Sequence, residues 1–338
     1  MTGVTVRVPA KLNLQLAVGP PRADGYHDLV TVFHAVSLFD EVTVVASDRD
    51  GVAVSGEGAD RVPADGDNLA LRAVAALRAV APAGVADPAG VHVTIAKRIP
   101  VAAGLAGGSA DAAAALVACN ELWACGFSQQ QLAEIGAKVG SDVSFALLGG
   151  TAVGRGRGEQ LTPALAPATQ YHWVLAFADG QLSTPEVYAA LDRLRAAQAG
   201  GAAPSPSPAR AGTAQPRAAQ PRAAQSRAAK SPPPGLDAAL MSALRSGDAA
   251  LVGRTLSNDL QPAAVSLFPA LRKTLAAGLE LGALGALVAG SGPTCVFLAS
   301  SADRALALAA SLSGAGVCRS VARATGPVPG AVIVPSAK

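Results

Sequence analysis

The chain of 338 residues predicts an α+β protein of two domains, and three observations carry that reading. Val4, Val6 and Val8 alternate with Thr5 and Arg7, and Val91, Val93 and Ile95 alternate with His92 and Thr94, the period of a half-buried strand. A glycine-rich loop at 104–108 opens directly into an Ala-rich run at helical spacing. From 199 to 234 the sequence is Ala, Pro, Ser, Gln and Arg with almost nothing to bury, and apolar patterning then resumes. The expected organisation is a first domain over 1–162 and a second over 163–328 with a disordered insertion at 199–234. A loose Pro/Gly-rich tail over 329–338 completes it. The length suffices, since a domain takes roughly 100–200 residues.

The first strand pattern runs on past Pro9 as Leu12, Leu14 and Leu16, opposite Lys11, Asn13 and Gln15. By itself that polar stripe reads as a solvated outer face. A turn cluster over 19–25 follows, then Tyr26 and His27, then a return run through Val30 and Phe33 to Val44. An aromatic and an imidazole at a hairpin mouth can stack on a planar base, although such a pair also simply caps a sheet. A loop ending in Asn68 precedes a helix over 69–80, and the strand over 91–97 feeds the glycine loop.

In that loop Ser109 is the expected N-cap and Asp111 falls in the first turn, where negative charge suits the helix dipole. Unpaired amides at such a helix start form an anion site, most often for phosphate. A tight strand-to-helix turn accounts for the glycines equally well, and neither Gly-Lys-Ser/Thr nor Gly-x-Gly-x-x-Gly is present. Ser128 with Gln131 forms a capping box for a helix whose core stripe is Leu132, Ile135 and Val139, and Gly140 closes it. Asp142 then lies at a new helix start. Alone it is an ordinary N-terminal aspartate; next to Lys11 it is suited to accept a hydroxyl proton.

Beyond it come a strand over 173–177 and a helix entered near Pro185. Further helices are expected over 236–244, 248–256 and 269–281, then a second glycine loop at Gly290 and Gly292 leading into a strand. A helix over 302–312 and a strand over 317–322 complete the pattern.

Composition narrows the class. No run of 18 apolar residues and no basic-then-hydrophobic leader occurs, so a soluble cytoplasmic chain without membrane attachment is expected. Cys119, Cys125, Cys295 and Cys318 show no Cys-x-x-Cys pair, and His27, His34, His92 and His172 no metal-ligand spacing. Reduced, packed thiols and no protein-built transition-metal site follow. The net charge of +3 has one source: five of the 27 basic residues lie in the insertion, with no acidic residue among them. No nucleic-acid footprint is left on the rest, while a basic tether to an acidic partner is the lesser reading of the insertion.

Residues 100–113 resemble the phosphate-binding loop of the GHMP kinases, with Ala106 and Ala110 in place of the family's Gly and Ser. Residues 10–14, 22–27 and 36–40 resemble the N-terminal signature of one GHMP branch, the kinases of 4-diphosphocytidyl-2-C-methyl-D-erythritol. Residues 140–145 with 149–159 resemble the block holding that family's catalytic base, Ser144 replacing its Pro, and 288–297 resemble the third motif.

The resemblance implies the two-domain GHMP kinase fold, a ribosomal S5 domain 2-like unit followed by a ferredoxin-like one. It implies Asp142 as base and Lys11 as its cationic partner. ATP would lie on Pro100, Val101, Ala102, Ala103, Gly104, Leu105, Ala106, Gly107, Gly108, Ser109 and Ala110, with Asn68 and Lys97 near the adenosine. Asn13, Tyr26, His27, Thr184, Tyr188, Gly290, Ser291 and Gly292 would hold the acceptor. Mg²⁺ would accompany ATP, its protein ligands unknown beyond the Ser109 hydroxyl as a candidate.

The activity implied is phosphorylation of the 2-hydroxyl of that cytidine diphosphate-linked polyol, in the non-mevalonate route to isoprenoid precursors, with no obligate protein partner. The alternatives are a GHMP kinase for mevalonate or homoserine, disfavoured by Tyr26 and His27, and a non-catalytic sensor of phosphorylated metabolites, disfavoured by Lys11 with Asp142.

Overall fold

The computed structural model describes residues 3–82, 90–165, 167, 169–200 and 234–335. Its first half is built on two long strands, β1 (Val4–Pro21) and β2 (His27–Ser47), paired antiparallel along most of their length. Register shifts at Pro9/Ala10 and Asn13/Gln15 bend β1 without ending it, so the two predicted segments form one strand. Strands β3 (Gly51–Gly56), β4 (Gly90–Lys97), β5 (Thr151–Gly156) and β6 (Gln160–Pro163) extend this sheet. Its main path runs β1-β2-β4-β3, with β5 on the far end of β2 and β6 on β5.

A second, antiparallel sheet is drawn from the later half. Its members are β7 (Tyr171–Phe177) and, after the two-residue β8 (Ser257–Asn258) that pairs parallel with β1, β9 (Gly285–Val288), β10 (Cys295–Ala299) and β11 (Ser320–Gly326). The order is β11-β7-β10-β9.

Helices α1 (Leu69–Arg78), α2 (Gly107–Leu122), α3 (Gln129–Val139) and α4 (Val143–Leu148) pack beside the first sheet. Helix α2 is apolar nearly all round, as a central helix must be: Ala112 to Ala115, Leu116, Ala118 and Cys119 are fully buried. Its alanines let it approach β1 and β2 while α1, α3 and α4 close over it. The predicted Ser128–Gln131 capping box is formed at α3.

Helix α5 (Thr184–Gly200) leads to the insertion predicted at 199–234, which apart from its edges lies outside the described residues. Helices α6 (Ala238–Ser246), α7 (Ala249–Thr255), α8 (Gln261–Leu267), α9 (Ala270–Glu280) and α10 (Ala302–Ala315) follow. One core cluster continues from Val6 and Leu14 into Trp173 and Leu175, tying the two sheets together. The four cysteines are free thiols. Among the described residues no helix is long and apolar enough to cross a membrane.

Residues 329–335 of the tail expected to be loose are held in place, and the rest of it lies outside the described residues. Val332–Val334 forms β12, antiparallel to Thr5, Val6 and Arg7 of β1, and the Ala331 amide donates to the Ala146 carbonyl at 2.9 Å. Gly330 makes the approach possible, since a Cβ there would sit 2.3 Å from the Leu147 carbonyl oxygen.

Candidate active site

Lys11 and Asn13 do not face solvent. The pleat of β1 turns both into a cavity of about 1240 Å³ between the glycine loop, the β1–β2 pair and α5, and both side chains are buried. Lys11 Nζ donates to Asn13 Oδ1 at 2.8 Å; Asn13 Nδ2 donates to Thr31 Oγ1 at 2.8 Å; Thr31 Oγ1 donates to the Gln15 carbonyl at 2.6 Å. This relay fixes the amide so that its oxygen meets the ammonium. Gln15 leaves the stripe, its amide spanning the Gly235 carbonyl and the Asp237 amide ahead of α6.

Asp142 is the N-cap residue of α4, yet its side chain makes no capping bond. Its carboxylate instead lies 3.6 Å from Lys11 Nζ, and the Phe33 ring stands 5.6 Å from the same ammonium. A cation and a carboxylate are thus paired at a cavity wall, the arrangement that proton removal from a hydroxyl requires.

The glycine loop is anchored at the same place, because the Lys11 amide donates to the Leu105 carbonyl at 3.2 Å. Helix α2 starts at Gly107 with Ala106 as N-cap, so Ser109 is not the cap and lies within the first turn. The first helical bond runs from the Ala110 amide to the Ala106 carbonyl at 2.9 Å, leaving the amides ahead of it without a partner inside the helix. Ala106 holds φ +60°, the left-handed value for which glycine is suited. Leu105, Ala110 and Gly292 are set back from the cavity, while the other predicted loop residues line it.

The second glycine loop meets the first. Asn258 Nδ2 donates to the Val288 and Gly290 carbonyls, each at 2.7 Å, and a Cβ on Gly290 would lie 3.4 Å from Lys11 Nζ. Thr184 Oγ1 and Ser291 Oγ are 2.8 Å apart.

Across the cavity the His27 ring is 5.0 Å from that of Tyr188, and His27 Nε2 is 3.1 Å from Asp192 Oδ1. Burial, with Asp142 adding, pushes the Tyr188 hydroxyl up to about 12, so it remains a hydrogen-bond donor. Tyr26 is largely exposed at the mouth.

Two expected adenosine residues are otherwise engaged. Lys97 Nζ is buried between Asp40 Oδ2 and Asp111 Oδ2, at 2.5 and 2.7 Å. Burial works against its charge, and the two carboxylates outweigh it, raising its pKa. Asp111 therefore serves this ion cluster rather than the helix dipole, and burial lifts its carboxyl to about 7, against the pull of Lys97. Asp40 Oδ1 accepts from the Arg98 and Ile99 amides, so the cluster holds the root of the glycine loop. Asn68 caps α1 through Oδ1 and donates to the Pro63 carbonyl. Both residues line the cavity, but their polar atoms are committed to the protein.

Sequence reasoning missed Thr31, Asp40 and Asp192. The signal for Asp40 was present, an acidic pair Asp40-Glu41 inside an apolar strand run; nothing local marked the other two.

Known proteins correspond to this geometry. The family model described as GHMP kinases N terminal domain matches residues 68–150, and that described as GHMP kinases C terminal matches 240–318. The 4-diphosphocytidyl-2-C-methyl-D-erythritol kinase of Thermobifida fusca is 51% identical over 341 residues, covering 98% of this chain and 99% of that protein. Its counterpart in Mycolicibacterium smegmatis is 52% identical over 333 residues, covering 98% and 93%. A crystal structure of a 4-(cytidine 5'-diphospho)-2C-methyl-D-erythritol kinase superposes with TM-score 0.68 at 31% identity, covering 95% of this chain and 98% of that one. A homoserine kinase from Cytophaga hutchinsonii, at 18% identity, TM-score 0.66 and 99% and 98% coverage, shares the fold alone. With half its residues identical to these enzymes over nearly its whole length, the chain belongs to the 4-diphosphocytidyl-2-C-methyl-D-erythritol kinase family of the GHMP kinases.

Proposed function

We propose that this chain transfers the γ-phosphoryl group of ATP to the 2-hydroxyl of 4-diphosphocytidyl-2-C-methyl-D-erythritol. The observation that carries the reading is the Lys11–Asp142 pair at 3.6 Å, set against the free amides of the first turn of α2 on one side and the His27–Tyr188 rings on the other.

Asp142 accepts the hydroxyl proton as the oxygen attacks. Lys11, oriented by Asn13, offsets the negative charge that develops around that oxygen and the transferring group. The amides of Gly107 and Gly108 receive the triphosphate, and Thr184 with Ser291 positions the acceptor. His27, backed by Asp192, offers a ring nitrogen to the cytosine edge while Tyr188 and Tyr26 supply stacking faces. Most of the rate enhancement then comes from alignment and electrostatics, since phosphoryl transfer leaves the protein little covalent work.

Among the described residues no group of three His, Cys, Asp or Glu is placed to hold a metal. Mg²⁺ would accompany the triphosphate, with the Ser109 hydroxyl, in the first turn of α2 at the cavity wall, as a candidate protein ligand. It would neutralise phosphate charge.

The test is ADP release with ATP and each of three alcohols: the cytidine diphosphate-linked polyol, mevalonate and homoserine. Turnover is expected with the first. Turnover restricted to either of the others overturns the reading, and nucleotide binding without turnover on any alcohol would make the chain a sensor.

A further inference from the structure

The turn between β5 and β6 carries Arg157 to the cavity. Gly156 and Gly158 flank it with φ +70° and +108°, and the Glu159 carboxylate accepts from the Arg157 amide at 2.7 Å. The backbone is held while the side chain extends over Tyr26, its guanidinium carbon 5.3 Å from the ring centroid. On the other flank, a Cβ on Gly158 would lie 4.0 Å from Asp142 Oδ1. Arg157 therefore stands between the base-stacking end of the cavity and its reacting end.

The distribution of charge makes that position informative. Lys97 is neutralised by Asp40 and Asp111, and Lys11 is engaged by Asn13 and Asp142. Arg61 and Arg72 line the cavity beside Asn68, at the α1 end, and Lys138 lines it from the last turn of α3. Near Tyr26, Asp24 accepts from the Tyr26 amide and, with Asp28, pairs with Arg22, while Asp192 holds His27. Among the described residues the Arg157 guanidinium meets an aromatic face and no carboxylate within ion-pair distance. A charged fork at the cavity wall with no anionic partner there is matched to a ligand that brings negative charge.

We propose that Arg157 binds the diphosphate of the acceptor and so selects a nucleoside diphosphate-linked alcohol over an unphosphorylated one. The inference rests on the acceptor assigned above, in which a diphosphate joins the cytidine to the polyol and must pass between the two ends of the cavity. The Tyr26 contact parks the side chain beside that path.

Two measurements test it. In steady-state kinetics, Arg157→Ala should raise KM for the cytidine diphosphate-linked polyol about 10- to 100-fold. Its kcat and KM for ATP should stay within about 3-fold, and Arg157→Lys should recover part of the loss. In calorimetry, the wild type should bind cytidine diphosphate at least about 10-fold more tightly than cytidine. Arg157→Ala should erase that preference while keeping the affinity for cytidine. An unchanged KM overturns the proposal. So does an equal loss of affinity for cytidine and its diphosphate, which would mean that Arg157 acts only by supporting Tyr26. Failure of the wild type to phosphorylate the polyol would remove the acceptor reading instead, and the calorimetric comparison would still decide the role of Arg157.

Discussion

Gly104 and Ala289 bring the two glycine loops into contact: a Cβ at 104 would sit 2.0 Å from the Ala289 carbonyl oxygen. Gly104 also holds φ +77°. Gly104→Ala therefore meets a steric and a conformational penalty together, and should lower stability by about 2–5 kcal/mol. The loops should part, raising KM for both substrates, as urea unfolding and kinetics on the variant would show.

Asp142 faces Lys11 instead of capping its own helix, so removing its charge spares the fold. Asp142→Asn should leave ATP affinity nearly unchanged and cut turnover at least ~100-fold, the lower end for loss of general-base help. Near-normal turnover would take Asp142 out of the mechanism.

Ala106 occupies a left-handed conformation, which glycine adopts without strain. That conformation costs an alanine ~1–2 kcal/mol, and glycine returns roughly 0.5–1 of it through a freer unfolded chain. Ala106→Gly should raise stability by about 0.5–1 kcal/mol without harming KM for ATP. A thermal melt showing a loss would mean that the Ala106 methyl packs usefully.

His34 is buried beneath Gly326, with Nδ1 2.8 Å from Thr151 Oγ1. Burial pulls its pKa from 6.5 down to about 3, the Gly326 backbone opposing. Below the unfolded value the unfolded chain gains a proton that the folded one refuses, so the stability associated with His34 is complete above 6.5 and is lost as pH falls toward 3. Asp111 acts in the opposite sense: its folded pKa is raised, so its contribution is largest below the ordinary carboxylate range and fades as pH rises through about 7. The two are separable by mutation. Relative to wild type, His34→Gln should lose roughly 2 kcal/mol less stability between pH 6.5 and about pH 5. Denaturant midpoints at the two pH values measure the difference, and parallel curves would contradict a buried neutral imidazole.

How far the sequence carried depends on the range of the signal. The alternation in β1 separated Leu12, Leu14 and Leu16 from Lys11, Asn13 and Gln15, because period 2 is a property of the strand itself, but the polar side is buried and not solvated. Which neighbour would cover the polar face was not local information, and Lys11 and Asn13 were identified with the cavity only through the family motif. The helix start at Ser109 was misplaced because propensity favours a hydroxyl cap, whereas contacts from β1 and the second glycine loop hold Ala106 in an unfavourable conformation that ends the loop earlier. Lys97, Asp40 and Asp111 come from three separate elements, so their mutual neutralisation followed from tertiary packing. Arg157 was visible only as part of a motif; that its guanidinium meets the Tyr26 ring and, among the described residues, no carboxylate is a fact of three dimensions.

The return of residues 332–334 to β1 bears on how the molecule is made. β1 is synthesised long before two of its partners, β8 at 257–258 and β12 at 332–334. Its flank stays unsheltered until those residues have been made, a topology that delays closure and exposes the nascent polypeptide to sticking. One edge of the first sheet is thus completed late by the connectivity itself, independently of how stable the finished fold becomes.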